Sequence, residues 1–266
     1  MNLLLNFFGL LGRRYPFKRG TNFFAHHTPL KKICETGPFK AKLRSGVKLK
    51  IDPKDYNGRV VALFGLQEPN ITAICIKNLH KSDIFLDIGA NNGAVGLNCI
   101  HAASEIHFFE PQPELGENIR ECIETHNLAH LTLHPIGLLD KDAEIDLHIS
   151  KNHSGTGSFI HNHAGTVINV PVKKAATYLE PILKGHTFGA KIDVEGAEKE
   201  VISEILNLPG MRFLVFEHQG KGEIWDLLKG KNLFGIDTKW VLPSYSKIAS
   251  RQDMANFEDF IVFNEI

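Results

Sequence analysis

An apolar run that stops abruptly at a glycine-rich turn is the feature that most constrains how this chain folds. Residues 84–96 read IFLDIGANNGAVG, and four of the first five side chains are apolar. Such a run is typical of a parallel strand that is buried on both faces. The apolar residues that follow the turn, at positions 94–100, predict a helix. A strand, a glycine turn and a helix in this order form a ligand platform in open α/β sheets.

The turn lacks the residues that a dinucleotide-binding turn needs. The G-x-G-x-x-G fingerprint requires a second and a third glycine, and counted from Gly89 these positions hold Asn91 and Ala94. An acid, Asp87, stands just before the turn, and a carboxylate there favours a ligand with positive charge over a pyrophosphate. S-adenosylmethionine fits, because it has an ammonium group, a sulfonium group and no phosphate. The alternative is a turn in which Gly89 and Gly93 serve backbone geometry alone.

A second apolar run ends in an acid in the same way. Residues 105–111 read EIHFFEP, so Glu110 ends a predicted strand, and prolines separate it from a predicted helix at 115–125. In open α/β sheets an acid about 20 positions beyond the glycine turn hydrogen-bonds ribose hydroxyls, and Glu110 has that separation from Gly89. Glu110 is therefore a candidate ribose ligand, and capping of the next helix is the alternative.

Two later predicted strands also end in ionisable residues. Asp193 and Glu195 follow the strand at 188–192, and the run MRFLVFE ends at Glu217, which His218 follows. Carboxylates two positions apart on an extended segment share a face, so we expect Asp193 and Glu195 to converge on one group. Because the carboxyl ends of parallel strands meet at one edge of a sheet, these residues and the earlier acids predict a cleft.

Residues 33–80 predict a small layer that precedes the first core strand and covers the ligand. The alternation of apolar and charged residues at 40–52 predicts a hairpin, and residues 71–79 have apolar side chains at helical spacing. Glu68 stands at the start of that helix. It is either a ligand-contacting residue or a helix cap.

The segment 131–165 predicts two strands and a polar loop. Residues 131–139 predict a strand that ends at Asp140, and residues 143–149 predict a hairpin strand added across the turn at 140–142. The loop is predicted at 151–165. Four histidines occur here: His148, His153, His161 and His163. A His-x-His pair without nearby cysteine or acid is a poor tetrahedral ligand set, so no metal site is predicted.

Composition limits the class of protein without choosing its function. A chain of 266 residues, 43% of them hydrophobic and 23% charged, can bury one large α/β core and add an appendage. The formal net charge of zero gives no general attraction to nucleic acid or to anionic membranes, so no nucleic-acid partner is expected. The four cysteines lack C-x-x-C spacing, which indicates reduced thiols in a cytosolic protein.

The amino-terminal stretch is apolar and then basic. Residues 1–12 read MNLLLNFFGLLG, and four basic residues follow within positions 13–19. The stretch is too short to span a bilayer, which takes about 20 residues, and a secretory signal would have its basic residues first. Two interpretations remain: a helix packed on the protein's own core or on a partner, and a peripheral membrane contact through residues 1–19. Residues 1–32 are treated as an appendage.

Four motifs together resemble the FkbM-type S-adenosylmethionine-dependent methyltransferases. They are GLQEPNIT at 65–72, DIGANNGAVGL at 87–97, FFEPQPE at 108–114 and KIDVEGAE at 191–198. The resemblance extends over residues 47–217. It implies a class I methyltransferase fold, with a mostly parallel seven-stranded sheet, helices on both faces and an antiparallel last strand, for which residues 257–264 are the candidate. It also implies S-adenosylmethionine as cofactor and O-methylation of a saccharide or a secondary metabolite.

The resemblance also assigns roles to the acids and the turn. Glu110 would hold the ribose of the cofactor, and Glu68 would approach its amino end. Asp193 and Glu195 would border the methyl group. The methionine part would be held by four residues of the strand end and turn: Asp87, Gly89, Asn91 and Gly93.

The expected reaction is an in-line displacement at the methyl carbon by an acceptor oxygen whose proton a base removes. His218, Asp193 and Glu195 are the candidate bases, and His218 is preferred because histidine titrates nearest neutral pH. Residues 81–266 would form the catalytic core. The alternatives are a non-catalytic or membrane-tethered binding protein on the same fold, and a nucleotide-dependent enzyme of another Rossmann-like class. The sequence does not predict an oligomeric state.

Overall fold

The protein is built around one large mixed β-sheet with helices on both faces. The computed structural model describes residues 2–15, 20–27, 29–150, 153–158, 165–218, 224–237 and 244–264. In these segments the large sheet has eight strands. From one edge to the other they are β13 (Ser244–Lys247), β12 (Asn232–Asp237), β14 (Asp259–Phe263), β11 (Met211–Glu217), β10 (Phe188–Ile192), β3 (Ile84–Ile88), β4 (Glu105–Phe109) and β5 (Leu131–His134).

Two smaller sheets accompany it. One pairs β1 (Phe39–Lys42) with β2 (Lys48–Ile51), and the other has the order β6 (Gly137–Leu139), β9 (Gly165–Lys174), β7 (Ala143–Ser150), β8 (His153–Ser158). The helices of the described segments are α1 (Asn2–Arg13), α2 (Thr21–His27), α3 (Leu30–Ile33), α4 (Tyr56–Phe64), α5 (Pro69–Asn78), α6 (Ala94–Asn98), α7 (Pro113–Thr125), α8 (Ala175–Leu183), α9 (Glu198–Ile205), α10 (Trp225–Leu228) and α11 (Arg251–Met254).

The fold is of the α/β class, as expected, but the number of strands in the large sheet is not the seven that were expected. Strands β5, β4, β3, β10 and β11 pair in parallel. The antiparallel strand expected near the carboxyl end is confirmed, because β14 pairs antiparallel with β11. The expected seven strands are wrong, because β13 continues the sheet beyond β12 as an eighth strand. The sheet is therefore mixed, with its parallel strands grouped on one side.

The central strands are covered on both faces, as their sequences require. All five residues of β3 and all five of β10 are buried. Neighbouring side chains on a strand point to opposite faces, and Phe85 and Leu86 accordingly belong to two separate apolar clusters. Phe85 packs in the cluster with the α5 residue Ile74, and Leu86 packs in the cluster with the α9 residue Ile202. Both faces of β3 are thus fixed, and with them the position of the turn that follows.

The prediction of one continuous strand at 131–139 is wrong, because this segment forms two separate strands. Its first half is β5 in the large sheet and its second half is β6 in the four-stranded sheet. Pro135 lies at the break, where it has no N–H to donate to a strand ladder. The predicted hairpin across 140–142 is also wrong, because β7 pairs with β9 instead of β6. Part of the predicted loop is a strand, β8, and His161 and His163 lie outside the described residues.

The layer before β3 has the predicted elements. The β1–β2 hairpin and helix α5 occur where the pattern placed them. Helix α1 packs on α4, with Leu5 fully buried. A Cβ at Gly12 would lie 1.9 Å from the carbonyl oxygen of Leu63, so the two helices approach too closely for any larger residue there. No helix among the described residues has the length and apolar character needed to cross a membrane.

Candidate active site

A buried lysine and a buried aspartate lie side by side at the centre of the sheet. Lys191 of β10 and Asp87 of β3 are direct register partners in a parallel pair, so their side chains project from the same face. Asp87 is fully buried and Lys191 is 2% exposed. A buried charge needs a partner of opposite sign, and each of these residues supplies one for the other.

Lys191 reaches three groups at the carboxyl edge of the sheet. Its Nζ donates a hydrogen bond to the Gly89 carbonyl oxygen at 2.9 Å. The same nitrogen lies 3.3 Å from Asp193 Oδ2 and 3.8 Å from Asp87 Oδ1. Burial acts to lower the pKa of Lys191, but the carboxylates of Asp193, Glu68 and Asp87 outweigh it and raise the pKa above the usual value for lysine. Lys191 is therefore a permanent cation.

The glycine turn passes directly against the loop that follows β10. Gly89 has φ +71°, and a Cβ on it would lie 1.8 Å from the Asp193 carbonyl oxygen. The backbone N–H of Asp193 donates to the Ile88 carbonyl oxygen at 3.0 Å, which holds the two segments together. Gly89 is thus required by both its conformation and the lack of space. The turn and the loop after β10 form one continuous surface.

Glu110 connects the glycine turn to the start of α7. Its Oε2 accepts a hydrogen bond from the Asn91 N–H at 2.7 Å, and its Oε1 accepts one from the Gln112 N–H at 2.8 Å. Burial raises the pKa of Glu110 to about 7, against the lowering effect of these two N–H donors. The carboxylate is 3% exposed and lies next to Asn91, which has φ +53°. Glu110 therefore holds the glycine turn in place. It also accepts a hydrogen bond just before α7, so helix capping describes only part of its role.

The layer formed by residues 33–80 is tied to the same turn by amide side chains that the sequence analysis did not single out. Asn92 Nδ2 donates to Gln67 Oε1 at 2.9 Å, and Gln67 Nε2 donates to Glu68 Oε1 at 3.1 Å. Glu68 has φ +45° and makes no side-chain cap on α5. The capping alternative for Glu68 is therefore wrong, and its carboxylate is held beside the turn.

The geometry expected for Asp193 and Glu195 is wrong in one respect. Glu195 has φ +52°, so the segment is a turn and the two residues do not share a face of an extended strand. The turn is stabilised by Glu198, whose Oε1 accepts hydrogen bonds from the N–H groups of Val194 at 3.2 Å and Gly196 at 3.0 Å. Glu198 is the last residue of the KIDVEGAE motif, and it positions the loop that carries the two candidate acids.

Several carboxylates near Lys191 have raised pKa values, and burial is the first cause in each. The pKa of Glu68 is raised to about 8 and that of Asp87 to about 6. The pKa of Glu195 is raised to about 8 and that of Asp259 to about 7, and Asp193 and Glu217 add to both shifts by repulsion. Asp259 is the register partner of Glu217 and was not a candidate from the sequence. In the sequence, only its position at the start of the last strand could have indicated that Asp259 belongs to the site. Among the described residues, these acidic side chains thus outnumber the cation that interacts with them, Lys191.

His218 lies at the end of β11, beside this acidic group. Its backbone N–H donates to the Glu258 carbonyl oxygen at 2.9 Å, which continues the pairing of β11 with the last strand segment. The ring is half-buried, and its Nε2 is buried without a hydrogen-bond partner among the described residues. The structure therefore places His218 at the predicted edge, next to Glu217 and its partner Asp259.

A cavity of about 470 Å³ borders the glycine turn at Asn92. The turn contributes Asn92 and the start of α7 contributes Gln112 and Asn118. Thr166 and Ile168 of β9 form the opposite wall, so the four-stranded sheet closes the cavity. The lining combines amide and hydroxyl groups and apolar side chains with four charged residues, Lys50, Asp52, Asp55 and Glu114. A mixture of apolar side chains and a few polar groups is typical of small-molecule sites. No group of three metal-ligating side chains occurs in the part of the chain that is described.

The close approach at Gly89 gives a test of how tightly the site is built. We expect Gly89→Ala to abolish cofactor binding, because the new methyl group would displace the Asp193 loop in addition to the cost of about 1 kcal/mol for alanine at positive φ. Gly185→Ala is the matched control, because Gly185 has φ +80° and nothing within 4 Å of its Cβ position. Calorimetric titration with S-adenosylhomocysteine, together with melting temperatures, distinguishes the two. Equal binding by both variants would contradict the close approach.

Comparison with protein families and solved structures gives one decisive match and several distant ones. The methyltransferase FkbM domain matches residues 87–235, more than half of the chain. No curated protein is significantly similar in sequence.

Among solved structures, an FkbM methyltransferase from Methylobacillus flagellatus KT is 13% identical with a TM-score of 0.42, over 70% of this chain and 44% of the other. This chain therefore spans less than half of that protein's length. An rRNA methylase from Streptococcus thermophilus is 11% identical with a TM-score of 0.40, over 72% of this chain and 90% of the other. A precorrin-6y C5,15-methyltransferase from Geobacter metallireducens GS-15 is 10% identical with a TM-score of 0.42, over 74% and 89%. Similarities this distant say nothing about activity.

The family match includes three of the four motifs, the glycine turn, the Glu110 strand and the KIDVEGAE loop. S-adenosylmethionine is the cofactor of this family. The chain belongs to the FkbM family of methyltransferases.

Proposed function

We propose that this protein transfers the methyl group of S-adenosylmethionine to a hydroxyl of a saccharide or a secondary metabolite. The observation that carries the proposal is a cluster of carboxylates at the glycine turn. Asp87 and Glu110 are buried there and Asp193 and Glu68 lie beside them, and among the described residues the cation paired with them is Lys191. Such a cluster stabilises a ligand with two positive charges and disfavours a phosphate. S-adenosylmethionine has an ammonium and a sulfonium, and a nicotinamide dinucleotide has a pyrophosphate.

The residues present fit the cofactor. Asp87 Oδ1 is buried, and no described residue donates a hydrogen bond to it, so one carboxylate oxygen remains for a donor from a ligand. Asp87, Gly89, Asn91 and Gly93 would hold the methionine part, and Glu68 would face its ammonium. Glu110 would accept from the ribose hydroxyls, because each of its oxygens has a second lone pair beyond the one that a backbone N–H uses.

When bound, the cofactor supplies an electrophilic methyl group on a good leaving group. The chain's own task is then to align an acceptor oxygen and to remove its proton. Asp193 and Glu195 lie on the loop that Glu198 and the contact with Gly89 hold in place, so they would border the reacting atoms. Holding the reactants in line is worth several kcal/mol of the barrier.

His218 is the base that we propose. The carboxylate of Asp193 is already engaged in an ion pair with Lys191 at 3.3 Å. The Nε2 of His218, in contrast, makes no hydrogen bond to a described residue. A neutral imidazole with a free nitrogen can accept the hydroxyl proton near neutral pH.

We further propose that residues 81–266 form the catalytic core, residues 33–80 cover the cofactor and residues 1–32 are an appendage. The bond from Asn92 to Gln67 supports the covering role. For the acceptor, the cavity beside Asn92 and Gln112 offers amide and hydroxyl groups of the kind that bind hydroxylated molecules. Nucleic acid is disfavoured, because residues 35–266 contain 30 acidic and 24 basic residues.

Cofactor binding is the first test of this proposal. We expect wild-type protein to bind S-adenosylmethionine saturably in a calorimeter, and Asp87→Asn and Glu110→Gln to weaken binding at least about tenfold, because each removes a charged acceptor at the ligand. Glu124→Gln is the matched control, since this exposed acid lies at the far end of α7 and does not line the cavity. Folded wild-type protein that bound NAD instead, or that bound neither ligand, would contradict the proposal and favour one of the two alternative classes.

The base assignment has its own test. With an acceptor found by screening hydroxylated glycans and metabolites against tritiated S-adenosylmethionine, we expect His218→Gln to lower kcat by about 10²–10⁴ while cofactor affinity stays unchanged. Asp193→Asn should weaken cofactor binding as well, because it removes a partner of Lys191. The assignment is wrong if His218→Gln turns over within a few-fold of wild type and Asp193→Asn is inactive with the cofactor still bound.

A further inference from the structure

The amino-terminal layer exposes an unusual amount of apolar surface. In the described part of the chain nine large apolar side chains are exposed, and seven of them lie in α1 and α2. These seven define the amino-terminal patch, and their exposed fractions run from 38% to 87%. The patch consists of Leu3, Leu4, Phe7, Leu10, Leu11, Phe23 and Phe24. The five α1 residues are spaced three and four positions apart and therefore share one side of the helix. Monomeric proteins rarely leave such a group of large apolar side chains in water, so the patch indicates a binding surface.

The patch is held in a fixed orientation. The opposite side of α1 packs on α4 through Leu5, and Gly9 and Gly12 lie against the backbone carbonyls of Ala62 and Leu63. On α2, Thr21 and Ala25 are buried in the same way. Both helices therefore face inward with one side and outward with the other. A rotation that hid the outer side chains would expose Leu5 and break the close contact at Gly12.

The amino-terminal layer also differs in charge from the rest of the chain. The first 34 residues contain six lysines and arginines and no aspartate or glutamate, whereas the remaining 232 residues have six more acids than bases. The net charge of zero is therefore the sum of a basic amino-terminal layer, residues 1–34, and an acidic body, residues 35–266. Arg14 directly follows α1, and Lys31 and Lys32 lie on α3, which contacts α2; all three residues are exposed.

We propose that the amino-terminal patch docks on the surface of an anionic lipid bilayer. An interfacial helix combines an exposed apolar side, which enters the headgroup boundary to a depth of about 5–10 Å, with basic residues that meet anionic headgroups. Helix α1 has 12 residues and rises about 18 Å, so it lies in the interface and does not cross it. The acidic body is repelled by the same surface, which leaves the layer as the side that faces the lipid.

A second copy of the chain is a poorer occupant for the patch. A two-fold contact through the patch would bring the basic residues of one copy against the same basic residues of the other, because an isologous interface pairs a surface with itself. Like charges placed in this way oppose association. Anionic lipid headgroups supply the opposite charge. This inference does not depend on the proposed methyl transfer.

Vesicle sedimentation tests the proposal directly. We expect the full chain to co-sediment with vesicles of phosphatidylcholine with roughly 30% phosphatidylglycerol, and to bind pure phosphatidylcholine at least about tenfold more weakly. Phe7→Glu/Leu11→Glu should reduce binding to the anionic vesicles at least about tenfold, because it places charge on the apolar side. Lys31→Gln/Lys32→Gln should reduce it at least about fivefold.

Matched control variants test whether the loss of vesicle binding is specific to the amino-terminal layer. Ile76→Glu changes an exposed apolar residue on another helix, and Lys81→Gln/Lys141→Gln removes two exposed lysines elsewhere, so both should bind like wild type. Melting temperatures confirm that each variant is folded. The proposal is overturned if wild type stays in the supernatant with anionic vesicles, or if the control variants lose as much binding as the patch variants. It is equally overturned if light scattering shows a dimer that Phe7→Glu/Leu11→Glu dissociates while vesicle binding is absent.

Discussion

The ion pairs of one buried lysine hold the site together. Lys191 contacts an aspartate on the neighbouring strand, a carbonyl in the glycine turn and an aspartate on the loop after its own strand. Removing a single partner from such a buried group costs about 3–5 kcal/mol, so the three segments keep their relative positions as a unit. The glycine turn, the covering layer and the acidic edge all depend on where this lysine is placed, and the register of β3 with β10 places it.

The acids of the site have two different tasks. Glu110 and Glu198 accept backbone N–H groups and hold the turn and the loop in shape. Glu68, Asp87 and Asp259 are instead crowded by other carboxylates, and burial and repulsion raise their pKa values. The first pair holds the backbone in shape, whereas Glu68 and Asp259 of the second group stay largely protonated at slightly acidic pH because burial and the negative field of the site disfavour their ionisation. A cationic ligand relieves that field, which couples binding to the charge state of the site.

The sequence predicts the parts of this arrangement that depend on local pattern. Each core strand that ends in an acid is found where the apolar run placed it, because a doubly buried strand has an unmistakable composition. Lys191 was not recognised as a central residue, since a charged residue inside an apolar run says nothing of its partner until the strand order is known. The left-handed turn at Glu195 and the strand break at Pro135 were missed although their causes are local: Glu198 accepts from the N–H groups on either side of Glu195, and Pro135 has no N–H for a strand ladder. The exposed patch on α1 also needed the structure, which shows the side that packs on α4.

Proton release on cofactor binding is the most direct measure of the central claim. Calorimetric titrations with S-adenosylmethionine at about pH 6.5, in buffers of different ionisation enthalpy, count the protons exchanged, and at this pH the ammonium of the ligand already carries its proton. Glu68, with a pKa of about 8, and Asp259, with a pKa of about 7, are then largely protonated in the free protein. A cation beside them lowers their pKa values, so binding should release protons and become tighter as the pH rises. S-adenosylhomocysteine, which lacks the sulfonium charge, should release fewer. Binding without proton release, or with proton uptake, would contradict an acidic site held for a cationic cofactor.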